Sequence, residues 1–104
     1  MEFVLDAAAV ADLVDQPEIA KLVVARHEAG TDRFVVATGT PTDARTRALT
    51  TRLDADCDDS ATAVARDRGA VVVTRDAEVR RRAQEHGVEV WHCRELLVHV
   101  VATS

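Results

Sequence analysis

A chain of 104 residues, 47% hydrophobic and 30% charged, is the size of a single domain spanning 1–104, with enough apolar material for a core of its own. That core has to be aliphatic, since 17 Val and 18 Ala stand against two Phe, one Trp and no Tyr. The net charge of −5 excludes a general nucleic-acid-coating protein, no apolar run approaches the roughly 18 residues of a membrane span, and Cys57 and Cys93 are too few for a disulfide framework or a zinc knuckle.

The opening Met1-Glu2-Phe3-Val4-Leu5-Asp6 lacks the basic flank and the length of a signal peptide, so a cytoplasmic location is expected, with both thiols reduced. Phe3 to Leu5 reads as a short buried strand ending at Asp6, and Ala7 to Val14 as a small helix. Pro17 suits a first helical turn, and Ile19, Leu22 and Val23 share one face of a helix that Gly30 stops. Phe34 to Ala37 is a second strand. Thr40-Pro41-Thr42-Asp43 signals the start of a helix running to about Leu53, with Thr40 and Asp43 at capping-box spacing.

Asp54, Asp56, Asp58 and Asp59 then lead into a helix with Ala61, Val64 and Ala65 inward, ended by Gly69. Ala70 to Thr74 is uniformly apolar and β-branched, the pattern of a strand covered on both faces. Asp76 to His86 is helical, with Val79 and Ala83 inward, and Val88 to Trp91 is a fourth strand. Arg94 to Val101 fits a terminal helix or a fifth strand, and Leu96, Leu97 and Val100 favour the helix.

Alternating strands and helices predict an α/β fold: a three-layer α/β/α sandwich around a parallel sheet of four or five strands, with right-handed crossovers. Ligands of such sheets bind beyond the carboxyl ends of the strands. Asp6 and Asp76 directly follow strands, while Asp43, Asp58 and Asp59 open helices, which gathers them at one edge. Clustered carboxylates raise one another's pKa, and a divalent cation relieves the repulsion. Carboxylate oxygens are hard ligands and suit Mg²⁺ or Mn²⁺. Asp is also a favoured helix N-cap, and every one of these residues stands where a helix begins.

Of the 13 basic residues only Lys21 is lysine, and Arg75, Arg80, Arg81 and Arg82 fall within eight positions. Arginine suits phosphate forks, and the same residues equally fit a solvated helix face. His27, His86, His92 and His99 have no positioned partner visible in the sequence and read as structural. Trp91 reads as core packing.

These residues carry a resemblance. Phe3-Val4-Leu5-Asp6 resembles the first strand and first acid of the PIN-domain family of metal-dependent ribonucleases, which includes toxin nucleases and ribosome-maturation endonucleases. The segment from Asp58 through Gly69 to Thr74-Arg75-Asp76 resembles that family's acid, helix, glycine, apolar strand and Thr/Ser-x-Asp ending, with the two acids 18 positions apart. The Arg-rich helix and Gly87-Val88-Glu89-Val90 resemble its closing unit. The resemblance implies metal-coordinating Asp6, Asp58 and Asp76, with Asp59 a second candidate beside Asp58. It implies a catalytic Asp43 where the family has Glu, and a Thr74 that orients a carboxylate or water.

Arg75, Arg80, Arg81 and Arg82 would then contact an RNA backbone. The implied activity is Mg²⁺- or Mn²⁺-dependent endoribonuclease, with RNA as partner and room for an antitoxin or other protein partner and for a homodimer. Two features differ from the family pattern: Ala7-Ala8-Ala9 stands where a small polar residue is usual, and Asp43 and Asp58 are only 15 positions apart. They suit a second reading, a PIN-like module that binds RNA or a protein without cutting. A phosphoacceptor receiver domain would also place acids at strand ends, but it would require a lysine after a late strand.

Overall fold

Residues 1–37, 43–56 and 60–103 are described by the computed structural model. The elements follow in order: β1 (Glu2–Leu5), α1 (Ala7–Val14), α2 (Pro17–Ala29), β2 (Arg33–Val36), α3 (Ala44–Arg52), β3 (Asp54–Ala55), α4 (Ala61–Arg68), β4 (Val71–Val73), α5 (Ala77–Glu85), β5 (Val90–Trp91) and α6 (Cys93–Ala102). The five strands form one wholly parallel sheet in the order β3-β2-β1-β4-β5.

Strand side chains alternate between two cores, because successive residues of a strand point to opposite faces. Phe3, Leu5, Phe34, Val36, Val71 and Val73 meet α1, α2, α3 and α6 on one side, through Val10, Leu13, Val23, Leu49 and Leu96 among others. Val4, Val35 and Val72 meet α4 and α5 on the other, through Val64, Ala65 and Ala83. This is the expected three-layer α/β/α sandwich. The few aromatics are spent in the first core: Phe3 stacks on Phe34 at 5.4 Å and tilts against Trp91 at 5.1 Å. Trp91 is thus a packing residue, as its sequence position predicts.

Local signals explain most boundaries. Asp6 caps α1, Pro17 opens α2, and Gly30 ends it at φ 76°, a conformation that Cβ-bearing residues rarely adopt. Ser60 caps α4, and His92 with Glu95 forms a capping box on α6. Asp43 is itself the cap of α3, accepting from Thr46 N–H, and not the third residue of a box begun by Thr40, which lies outside the described residues.

Two strands, β3 and β5, differ from expectation, whereas residues 93–102 form the helix that Leu96, Leu97 and Val100 favour. The fifth strand is β3, in the acidic stretch read as a helix approach. β3 is a two-residue edge strand whose Asp54 is paired with Arg33 at 3.0 Å, the short and charged kind that resists pairing with another chain. β5 is shorter than predicted, because Val88 N–H donates to Ala83 C=O at the end of α5 and never joins the ladder. No helix among the described residues is long and apolar enough to cross a membrane.

Candidate functional site

Register lines up Leu5, Val36, Val73 and Trp91 as neighbours on adjacent strands. The residues immediately beyond them are Asp6, Ala37, Thr74 and His92. From β1 the chain steps outward through β2 to β3, and then returns to the other side for β4 and β5. The direction reverses between β1 and β4. A reversal of this kind opens a crevice past the carboxyl ends of the two strands, where open parallel sheets bind ligands. Asp6 and Thr74 are the residues that occupy it.

The two are joined. Thr74, fully buried, donates its hydroxyl to Asp6 Oδ2, while Asp6 Oδ1 accepts from Ala9 N–H at 2.9 Å. Thr74 Oγ1 in turn accepts from Asp76 N–H at 3.0 Å. Asp76 caps α5 with Oδ1, which accepts from Glu78 N–H at 2.9 Å and Val79 N–H at 3.4 Å. Burial pushes the Asp6 carboxyl above the usual aspartate range; the bonds from Thr74 and Ala9 pull it back, and the charge of Asp76 adds to the rise. Capping and site formation are therefore not rivals at these positions. The same carboxylates cap helices and converge at the switch point.

Asp12 and Cys93 stand close by, and neither was anticipated. Arg75 reaches from the end of β4 to Asp12 on α1 at 3.2 Å. The thiol of Cys93, at the start of α6, is pushed up to about 12 by burial and by its hydrogen bond to Asp12, with further contributions from the charges of Asp12 and Asp6. A sequence signal for Asp12 exists: it is the single charged residue of an otherwise apolar helix, AAAVADLV. Cys93 carried none, because its neighbours come from α1 and β4.

Other expected site residues lie apart. Asp43 is exposed, and its carboxylate accepts from Thr46 N–H at 2.9 Å and Thr46 Oγ1 at 2.7 Å. Those bonds hold it below the usual aspartate range and keep it on its own helix. Asp58 and Asp59 lie outside the described residues. Among the described residues, no three His, Cys, Asp or Glu side chains converge on one cation-sized position. Arg81 pairs with Glu78 at 2.5 Å and with Glu85, and Arg82 approaches Glu78 at 3.8 Å.

The histidines take structural posts. His27 Nδ1 accepts from Phe34 N–H at 3.0 Å, His92 caps α6, and His99 Nε2 lies 2.9 Å from buried Asp32. An apolar groove of about 630 Å³ runs between α1, α2 and α3, past Leu13, Val14, Pro17, Val24 and Leu49. None of the switch-point residues borders it, so concavity alone does not find the polar cluster. Comparison with protein-family models and with curated proteins returns no match.

Proposed function

We propose that the chain is a PIN-type Mg²⁺- or Mn²⁺-dependent endoribonuclease acting in the cytoplasm, with its centre at the carboxyl ends of β1 and β4. One observation carries the reading: Asp6, Thr74 and Asp76, the residues of the family-like motif, form a continuous hydrogen-bonded unit at the topological switch point.

The donors suit a hard cation. Each oxygen of Asp6 accepts one hydrogen bond and keeps a further lone pair, and Oδ1 alone of Asp76 is engaged in capping. All are oxygen ligands, and Mg²⁺ is usually held by one or two carboxylates with waters completing its shell. In this reading Asp6 and Asp76 hold the ion, and Asp58 or Asp59 supplies a further carboxylate. A bound Mg²⁺ or Mn²⁺ would lower the pKa of the attacking water and offset charge on the phosphodiester.

The protein's own share is positioning. Thr74 fixes the Asp6 carboxylate and ties it to the Asp76 backbone, so the acids keep their spacing without the ion. Burial raises the Asp6 pKa, and a cation would favour its ionised form. Two Phe and one Trp, packed against one another, leave no aromatic platform for stacking bases, so recognition rests on the backbone of single-stranded RNA. The deciding experiment is Mn²⁺-dependent cleavage of single-stranded RNA by the wild type and by Asp76→Asn. Activity only in the wild type supports the reading, and equal activity in both rejects it.

A second reading keeps the fold and drops the chemistry: a module that binds RNA or a protein without cutting. Ala7-Ala8-Ala9 favours it, since the first turn after Asp6 carries methyl groups where a polar side chain would assist a metal shell. Calorimetric titration with Mn²⁺ separates the two, because only the nuclease needs the ion.

A further inference from the structure

Four arginines follow β4 within eight positions, and the structure engages three of them. Arg75 faces Asp12, Arg81 is clamped between Glu78 and Glu85, and Arg82 shares Glu78. Arg80 differs. Its guanidinium has no ion pair or hydrogen bond within the described residues, and its Nε is shielded from solvent with no acceptor. A buried N–H has lost its water, and lacking a partner it bears the whole cost of that desolvation. The two Nη nitrogens of the same guanidinium are also unpaired within the described residues but stay open to solvent, and an acceptor that arrives from outside meets them.

Its position says where that acceptor sits. Arg80 is half-buried on α5, four residues beyond the capping Asp76, and its backbone N–H donates to Asp76 C=O at 3.0 Å. Residues four apart share a helix face, and long side chains lean back toward the helix N-terminus. The N-terminus of α5 is the end at Thr74 and Asp76. Arg80 therefore stands one turn from the switch-point edge, on the helix face that carries Asp76.

Resting on the ribonuclease reading above, we infer that Arg80 is the phosphate-binding residue of this site, and that Arg81 and Arg82 are not. The guanidinium presents its two Nη nitrogens as a fixed fork, which matches the two non-bridging oxygens of a phosphodiester. The occupant is the backbone of single-stranded RNA. The paired arginines stabilise α5 instead, as helix-surface partners of Glu78 and Glu85.

The test is fluorescence anisotropy with a fluorescein-labelled single-stranded RNA decamer in EDTA, where neither metal nor cleavage contributes. Arg80→Met keeps the stem and removes the fork. It should weaken binding about tenfold or more and lower the slope of log affinity against log salt by about 0.7. Arg80→Lys should keep the slope while recovering only part of the affinity. Arg81→Met and Arg82→Met should stay within about twofold of wild type.

Thermal melts supply the readout that a structural role would not give. Without RNA, Arg80→Met should melt no lower than wild type, because it deletes an orphaned donor; with RNA, the melting temperature should rise for wild type, Arg81→Met and Arg82→Met and markedly less for Arg80→Met. Wild-type affinity in Arg80→Met, equal losses in the Arg81 and Arg82 variants, a lower melting temperature in Arg80→Met without RNA, or no RNA binding by wild type would each overturn the assignment. The ribonuclease reading fails separately. Arg80-dependent binding without Mn²⁺-dependent cleavage removes the chemistry and leaves the phosphate site. Cleavage with an unchanged KM in Arg80→Met removes the arginine and leaves the chemistry.

Discussion

The Thr74 hydroxyl donates to Asp6 across the seam between β4 and β1, joining residues 68 positions apart. Thr74 is fully buried, and its oxygen also accepts from Asp76 N–H. One hydroxyl thus sets the spacing of two acids that the chain delivers from different βα units.

Replacing that hydroxyl by a methyl group isolates its role. Thr74→Val preserves shape but leaves Asp6 Oδ2 and Asp76 N–H without their partner, at a cost of about 1–3 kcal/mol. Thr74→Ser keeps the bond and should recover most of the loss. Urea denaturation of the three proteins measures it. Equal midpoints for valine and wild type would show that the bond contributes nothing.

Asp6 makes the metal-free protein sensitive to pH in an unusual direction. Its folded pKa is raised, chiefly by burial, so the folded state binds the proton more tightly than the unfolded chain does. The stability tied to that proton is complete below the ordinary aspartate range and is lost as pH rises through the folded value. Measured in EDTA, Asp6→Asn should therefore gain on wild type between pH 4 and pH 7. Mn²⁺ should restore wild type and do nothing for the variant. A pH-independent difference between the two proteins would remove this account.

Asp32 carries the opposite sign. Burial alone would raise its pKa, but bonds from His99, the Met1 ammonium and Arg26 outweigh burial and lower it. A lowered folded pKa contributes stability above the unfolded value, and the contribution disappears as pH falls through the folded one. Asp32→Asn should cost about 2–4 kcal/mol at neutral pH by stranding Arg26 and His99. The gap should close below the ordinary aspartate range, as chemical denaturation at pH 3 and pH 7 will show. A gap of the same size at pH 3 would mean that packing, and not charge, holds α2 to α6.

How much of this was legible in the sequence depended on whether the signal was local. Caps, glycine stops and β-branched runs act within a few residues, so α1, α2, α4 and β4 matched expectation to within a residue or two. β3 did not, because a two-residue edge strand that opens on an acid has neither apolar length nor alternation; its place is set by pairing with Val35 and Val36. The same division runs through the site. Asp6, Thr74 and Asp76 are legible as candidates because each follows a strand or opens a helix, where the chain itself marks the position. Asp12, Cys93 and Asp32 were missed because their partners come from distant elements. The arginine cluster was partly divisible from local spacing, since Glu78 and Glu85 stand three and four residues from Arg81, whereas Asp76, four residues before Arg80, caps the helix and does not pair with it.

Cys93 lies beside the acids and should nevertheless be inert. Its thiol is buried near Asp12, and burial first, then its interaction with Asp12, pushes its pKa up to about 12. At pH 8 the reactive thiolate is then about one molecule in ten thousand, far below an ordinary exposed cysteine. Asp12→Asn removes one charge that opposes the thiolate but leaves the burial, so protection should persist in that variant. Iodoacetamide at pH 8 should leave the Cys93 peptide unmodified in the native protein and label it fully in urea, as read by mass spectrometry. Rapid native labelling would mean that the start of α6 opens, and with it the wall beside Asp6 and Asp12. Protection in both wild type and Asp12→Asn would confine the chemistry of this edge to its oxygen donors.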